Sequence, residues 1–157
     1  TVCLAVPLYE QLELLKKNKV AVVCGILSGT LASLTGIFVL CMLFGFNHQQ
    51  YVTMLPKSIT TAIGIGISEE LGGIVTITVA VIIITGILGN VIADTVFHIF
   101  KIKNPLAKGL ALGTASHAIG TARAIEMGPV EGAMSSLAVA VAGLLTVVFV
   151  SGFAQLI

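Results

Sequence analysis

A single arginine is the residue of this sequence best suited to bind a small organic anion. Arg123 is the only Arg among the 157 residues, and it ends a Gly-Thr-Ala-Arg string that begins at Gly120. Its planar guanidinium can donate two parallel hydrogen bonds to a carboxylate. The alternative interpretation places Arg123 near a membrane surface, where it pairs with Glu126 or Glu131 or reaches lipid headgroups.

A histidine lies close to this arginine in the sequence. His117 precedes Arg123 by six residues and has two interpretations. Because imidazole titrates near neutral pH, His117 is a candidate to donate to a substrate oxygen or to carry a coupling proton. It is equally well explained as a buried histidine that serves packing through a hydrogen bond.

Small hydroxyl side chains cluster in two segments and are candidate donors to the same anion. They are Ser58, Thr60, Thr61, Thr114, Ser116 and Thr121. In broken membrane helices, such hydroxyls and the N-termini of the half-helices would meet an anion near the middle of the bilayer. The alternative for each hydroxyl is a hydrogen bond back to its own helix.

Two acidic residues hold matching positions in these segments. Glu70 and Glu126 are candidate coupling or gating groups, or they mark where each segment turns back into water. No catalytic residue is predicted, since the adjacent Ser116 and His117 point differently and no Asp is seen to orient the histidine. No metal site and no cofactor are predicted either.

The composition indicates whether these residues lie in a soluble protein or in a membrane protein. The chain is 57% hydrophobic and 10% charged, with a mean hydropathy of +1.10. A soluble domain would be about 25% charged. These values exclude a soluble enzyme, a disordered chain and a protein that binds nucleic acid, and they indicate a protein of the lipid bilayer.

Three strong apolar runs and two weaker segments follow one another along the chain. The strong runs are residues 20–46, 74–100 and 133–157, and each is long enough to cross a hydrocarbon core of about 30 Å as a helix. The weaker segments, residues 51–67 and 106–127, contain Gly, Pro and polar residues. We therefore predict an all-α polytopic membrane protein of long helices plus two broken or re-entrant hairpins. Because the sequence starts inside an apolar run without Met, we also expect it to lack N-terminal helices.

The lysines predict how these segments cross. If residues 51–73 enter the membrane and return to the same side, six lysines lie together on the cytoplasmic side, as the positive-inside rule requires. They are Lys16, Lys17, Lys19, Lys101, Lys103 and Lys108. A complete crossing by residues 51–70 would divide them, so we predict a hairpin.

The two weaker segments also resemble each other. Residues 60–74 and 116–130 share Ala-Ile-Gly, a Glu and a further Gly at a constant offset of 56 residues. Because one strong run separates them, they would enter the membrane from opposite sides, as in the inverted repeats of transporters. We predict one transmembrane domain over residues 1–157, with repeat units at 51–100 and 105–157. The alternative is that both segments are ordinary kinked helices whose small residues allow close packing.

Several strings in the chain closely resemble the LrgB/CidB family, which includes the YohK-type inner-membrane proteins of bacteria. They are LPKSITT at 55–61, GLALGTASHAIGTAR at 109–123, GAMSSL at 132–137, and Pro7-Leu8-Tyr9. The likeness extends over nearly the whole chain. It implies a multi-pass protein of the bacterial inner membrane, and family members that are longer at the N-terminus.

The function that the resemblance implies is divided. Bacterial members are described as antiholin-like proteins that modulate murein hydrolase activity and lysis together with a small LrgA/CidA-type membrane protein. A plastid relative translocates glycolate and glycerate, and some bacterial pairs are linked to pyruvate uptake. We expect a transporter of small monocarboxylates that forms a homo-oligomer, and the alternative is a regulator of lysis without transport of its own.

Overall fold

The predicted all-helical class is confirmed. A computed structural model describes Tyr9 and residues 11–157, so the apolar stub at residues 1–8 lies outside the described part. Within that part the chain forms helices and no strands. They are α1 (Leu12–Lys17), α2 (Lys19–Phe44), α3 (His48–Met54), α4 (Thr61–Glu70), α5 (Val75–Ile99), α6 (Pro105–Met127), α7 (Pro129–Phe153) and a 3-10 turn (Ala154–Leu156).

Three of these helices are long and apolar enough to cross a membrane. They are α2, α5 and α7 with its following 3-10 turn. At 1.5 Å per residue, the 26 residues of α2 extend about 39 Å, which exceeds the hydrocarbon thickness. The chain is therefore a multi-pass membrane protein, as its three strong apolar runs predicted.

The first weaker segment forms a helical hairpin, residues 48–70, that we call hairpin 1. Asn47 begins it with a capping box, in which Asn47 and Gln50 bond each other's backbone amides. Pro56 follows α3 and lacks an amide hydrogen, which favours the end of that helix. After a turn at residues 55–60, α4 runs back to Gly72, whose φ of +74° suits a glycine. Both arms end on the same side, because Gln49 Nε2, at the start of the first arm, donates to the carbonyl of Gly72, beyond the end of the second arm, at 3.4 Å.

The second weaker segment, α6, is broken at His117 and forms hairpin 2, residues 105–127. His117 has φ 42° and ψ −137°, which no helix contains. Beyond it the chain folds back, since a Cβ on Gly120 would lie 2.9 Å from the carbonyl oxygen of Leu112, eight residues earlier. Leu112 and Ala124 also share one apolar cluster. Hairpin 2 is thus re-entrant, as predicted.

The six lysines named above define one end of the molecule, which we call the lysine side. Asn18, which precedes α2, and Asn104, which precedes hairpin 2, line one cavity at this end. Hairpin 1 enters from the other end, where the Tyr51 hydroxyl donates to the carbonyl of Phe153 at 2.8 Å. The two hairpins therefore enter from opposite sides, as predicted for an inverted repeat.

The tips of both hairpins reach the same depth beside α2. The Ser33 hydroxyl of α2 donates to that of Ser58 in hairpin 1 at 3.0 Å. One turn away along α2, Gly29 has no side chain, and a Cβ there would lie 2.9 Å from Thr114 Oγ1 of hairpin 2. The middle of α2 is therefore the place where the two hairpin tips meet.

Each hairpin also packs against the span that follows the other one. A Cβ on Gly86 of α5 would lie 2.7 Å from Cδ1 of Ile119 in hairpin 2. A Cβ on Gly143 of α7 would lie 2.9 Å from Cδ1 of Ile63 in hairpin 1. Because Ile63 and Ile119 are the isoleucines of the repeated Ala-Ile-Gly string, the sequence repeat coincides with a crossed arrangement of contacts.

Candidate functional site

A cavity of about 810 Å³ lies between α2, the turn of hairpin 1 and the first arm of hairpin 2. It extends from Asn18 and Asn104 near the lysine side to the hairpin tips at mid-depth. Small residues of α2, among them Gly25 and Ala32, leave the space for it. The polar side chains at its inner end are Ser33, Lys57, Ser58 and Thr114.

Lys57 places a basic amine at the inner end of this cavity. Its Nζ donates to Ser58 Oγ at 2.7 Å and to Ser33 Oγ at 3.4 Å. The turn of hairpin 1 holds the lysine there, because residues 55–60 connect the two arms at mid-depth. Within the described residues the ion pairs are those of Arg123, so Lys57 lies among hydroxyls without a carboxylate.

A second, much smaller chamber of about 10 Å³ adjoins the same hydroxyls. That volume is close to what a single water molecule needs. Its polar lining comes from α2, both hairpins and α7, and consists of Thr30, Ser33, Ser58, Thr114 and Thr146. Each of these four units therefore contributes a hydroxyl to one point in the middle of the molecule.

The three threonines of this chamber are oriented alike. Each donates its hydroxyl hydrogen to the carbonyl four residues earlier in its own helix, at 2.9 Å for Thr30, 2.8 Å for Thr114 and 2.7 Å for Thr146. A hydroxyl has one hydrogen and two lone pairs. With the hydrogen engaged, only acceptor lone pairs remain for the chamber, and acceptors of this kind suit a cation or a hydrogen-bond donor.

Two of the hydroxyls predicted from the sequence line the cavity. Ser58 and Thr114 are 56 residues apart, the offset of the repeat, and both also border the small chamber. Thr60 and Thr61 lie where α4 begins, and both are half-buried. Neither of these two threonines lines the cavity or the chamber.

Ser116, His117 and Thr121 are buried at the break of hairpin 2. His117 Nε2 donates to the carbonyl of Ile82 at 3.0 Å, and because a carbonyl only accepts, Nε2 carries the hydrogen. Thr121 Oγ1 donates to the carbonyl of His117 at 2.9 Å and lies 2.8 Å from Ser135 Oγ. Ser116 packs on Gly89 of α5. These contacts fasten hairpin 2 to α5 and α7.

Arg123 lies on the returning arm of hairpin 2, away from the cavity. Its guanidinium forms ion pairs with Asp94 of α5 and, at 2.7 Å, with Glu126. The pairing with Glu126 was one of the two interpretations of the sequence, whereas Asp94 was not foreseen. Glu126 is exposed near the end of hairpin 2, and Glu70 is exposed at the end of α4.

Sequence reasoning missed Lys57, although a usable signal was present. Lys57 follows Pro56 inside a segment that is otherwise free of charge from residue 20 to residue 68. A charged residue within a broken membrane segment is by default a candidate functional group. The same criterion drew attention to Arg123, but the carboxylates near Arg123 in space belong partly to another helix and are not recognisable as partners from spacing alone.

Comparison with known proteins relates the whole chain to one family. The model of the LrgB-like family matches residues 1–156. The antiholin-like protein LrgB of Bacillus subtilis is 40% identical over 157 residues, which are 100% of this chain and 68% of that protein. The antiholin-like protein LrgB of Bacillus cereus (strain B4264) is 41% identical over 153 residues, 98% of this chain and 66% of that protein. The chain thus spans about two thirds of the length of these relatives, and no solved structure matches it.

Proposed function

This chain belongs to the LrgB-like family, and on that premise we propose that it transports small monocarboxylates such as pyruvate, glycolate or glycerate across the membrane. The observation that carries the proposal is Lys57 at the inner end of the cavity, where the described residues offer it no carboxylate. An ionisable residue without a partner inside a membrane protein is costly, and such residues usually mark a pathway for ions or substrates. An anionic substrate would supply the missing partner.

In the proposed complex, the carboxylate of the substrate binds Lys57 Nζ in place of the hydroxyls that Nζ now contacts. Ser33 and Ser58 then donate to the substrate oxygens, whereas the hydroxyl hydrogen of Thr114 stays on its own helix. Ammonium and hydroxyl donors bind small carboxylates well because hydrogen bonds to an ionised group are stronger than neutral ones. His117 and Arg123 act indirectly, by holding hairpin 2 against α5.

The distribution of apolar residues supports a transport cycle in which access alternates. The cavity reaches the hairpin tips from the lysine side. Towards the opposite side, the core beyond the tips is filled by buried apolar residues, including Leu34, Tyr51, Leu55, Ile59 and Val150. We propose that this cluster closes the outer pathway in the present conformation and separates when hairpin 1 moves.

A second function is favoured by the names of the relatives. Proteins 40–41% identical to this chain are called antiholin-like. We therefore propose as the alternative that the chain regulates lysis by binding a small LrgA/CidA-type membrane protein. In that case the cavity has no transported substrate, and substitution of Lys57 leaves the regulatory activity unchanged.

The test is uptake of radiolabelled pyruvate and glycolate into proteoliposomes that contain the full-length protein, with and without its partner. We expect Lys57→Gln to lower uptake at least about tenfold, which corresponds to about 1.4 kcal/mol of lost interaction. The matched control is Lys103→Gln, which removes an exposed lysine on the lysine side and should transport like the wild type. Absence of uptake and exchange by correctly folded wild-type protein would reject transport and favour the regulatory alternative.

A further inference from the structure

The surroundings of Lys57 also bear on how transport would be coupled to an ion gradient. We propose that Lys57 carries the coupling proton, so that one proton and one monocarboxylate cross the membrane together. This inference rests on the proposed transport function. It concerns the step after substrate release, when the cavity is empty and the lysine has no anion beside it.

The first observation is the absence of a charge that would balance the lysine in the empty protein. Within the described residues, the acidic partners that form ion pairs are Asp94 and Glu126, and both are bound to Arg123. Moving an unbalanced ammonium through the apolar part of the protein is costly, because the protein cannot replace its hydration. A neutral amine avoids this cost and keeps its hydrogen bonds to Ser33 and Ser58.

The second observation is that the hydroxyls in contact with Lys57 are its acceptors, since Ser33 and Ser58 accept hydrogen bonds from Lys57 Nζ. Both serines also border the small chamber, which Lys57 itself does not line. There Thr30, Thr114 and Thr146 donate their hydrogens to their own helices and leave only lone pairs. This environment suits the three donors of an ammonium once an anion balances its charge.

The third observation concerns the other titratable groups nearby. The side chains that border the lysine and the chamber from α2, hairpin 2 and α7 are hydroxyls and apolar groups, none of which titrates in the physiological range. His117, at the break of hairpin 2, has its Nε2 fixed on the carbonyl of Ile82 and lines neither the cavity nor the chamber. Lys57 is therefore the group positioned to exchange a proton with the cavity.

The resulting cycle balances in atoms and charge. On the side of higher proton concentration, Lys57 Nζ takes a proton from water as the carboxylate binds, and the loaded site is neutral. After the change of access, the carboxylate leaves and the proton returns to water on the other side. The empty site is again neutral and reorients to repeat the cycle. The net process moves one anion and one proton without net charge.

The test compares wild type with Lys57→Arg in proteoliposomes of the full-length protein. A guanidinium keeps its proton at all accessible pH values. The variant should therefore still bind the anion, and its exchange of internal for external pyruvate is the internal reference for its net uptake. The ratio of net uptake under a pH gradient to this exchange should be at least about tenfold lower than in the wild type, because the empty charged site cannot return.

A second measurement on the wild type keeps the test decisive if the larger arginine side chain prevents folding. Pyruvate uptake should acidify the vesicle lumen, followed with a trapped pH dye, and should not respond to a potential imposed with valinomycin. A ratio of net uptake to exchange in Lys57→Arg equal to that of the wild type, or wild-type uptake driven by a sodium gradient at equal pH, would overturn proton coupling by Lys57. In those outcomes transport itself is still observed, whereas a wild type without exchange rejects the proposed function.

Discussion

Hairpin 1 and hairpin 2 share a sequence repeat and an arrangement in the fold, yet they place their charges differently. Hairpin 1 turns through residues 55–60 and carries Lys57 at its tip, within the cavity. Hairpin 2 breaks at His117, which is buried together with Ser116, and its tip carries no Lys, Arg, Asp or Glu. The cation of hairpin 2 is Arg123, on the returning arm, where two carboxylates balance its charge.

This difference indicates that a basic residue in a membrane segment can have either of two roles, binding a ligand or joining two helices through an ion pair. Lys57 lies among hydroxyls at the inner end of a cavity, an environment that leaves its charge available to a ligand. Arg123 joins hairpin 2 to α5 through an ion pair with Asp94, and this ion pair neutralises its charge. Hairpin 1 is thus the candidate substrate-binding element, and hairpin 2 is the element that is fastened to the scaffold.

The largest expected effect concerns the sides from which the hairpins enter. In a cysteine-free background, a cysteine at Glu70 should be labelled by a membrane-impermeant maleimide from the same face as a cysteine at Asn47. A cysteine at Glu126 should be labelled from the opposite face, because hairpin 2 enters from the lysine side. Labelling is compared between intact cells, in which only outward-facing cysteines react, and opened cells, in which both faces react. Lys103→Cys provides the control for the lysine side.

The contradictory outcomes for this labelling are equally clear. Labelling of Glu70→Cys and Asn47→Cys from different faces would show that residues 48–70 cross the membrane completely. Labelling of Glu70→Cys and Glu126→Cys from one face would show that the two hairpins are not inverted. In either case the meeting of the two tips beside α2 would have to be abandoned.

The second prediction concerns how tightly each hairpin is packed. We expect a glycine-to-alanine substitution to change the free energy of unfolding in opposite directions in the two hairpins. A Cβ on Gly113 of hairpin 2 would lie 2.5 Å from the carbonyl oxygen of Ser135 and 2.7 Å from Cβ of Ala138. Gly113→Ala should therefore lower the free energy of unfolding by about 1–3 kcal/mol, as overpacking does. In hairpin 1, a Cβ on Gly66 would meet nothing within 4 Å, so Gly66→Ala should raise it by up to about 1 kcal/mol through helix propensity.

Thermal unfolding of both variants in one detergent measures this difference. The two substitutions are chemically identical and both lie in helices of weaker segments, so each is the control for the other. A destabilised Gly66→Ala would mean that hairpin 1 packs against a surface that the described residues do not provide. An unaffected Gly113→Ala would mean that hairpin 2 separates from α7 more readily than its close backbone contact indicates.

Much of the fold could be predicted because the membrane restricts the alternatives. Long uncharged runs must be helices in lipid, and the lysines favoured a return of residues 51–73 to one side. The constant offset between Glu70 and Glu126 indicated a second hairpin of the same kind. The exact position of the break in each hairpin was less predictable. The repeat aligns Thr61 of hairpin 1 with His117 of hairpin 2. However, hairpin 1 turns over the six residues 55–60, whereas hairpin 2 breaks at His117 alone.

The site was harder to predict because it depends on contacts across the chain. Ser58 and Thr114 were named from their segments, and both line the cavity. The sequence points to Arg123 rather than Lys57, because it does not reveal that Asp94 of α5 lies beside the arginine. Substrate binding by Arg123 stays a prediction. A count of intramembrane charges gives the candidates, and the packing of the helices identifies which of them has no carboxylate beside it among the described residues.

The smallest expected effect is that of the arginine, and it sharpens the contrast with Lys57. Arg123→Gln should leave the KM for monocarboxylate uptake within about twofold of wild type, a change below about 0.4 kcal/mol. Its melting temperature should fall slightly, because partly exposed ion pairs contribute little, and the difference should shrink at high salt. Asp94→Asn removes the partner and should reproduce the same small shift. If Arg123→Gln instead raises KM strongly while Asp94→Asn does not, the guanidinium binds substrate in another conformation, and the division of roles between the two hairpins is wrong.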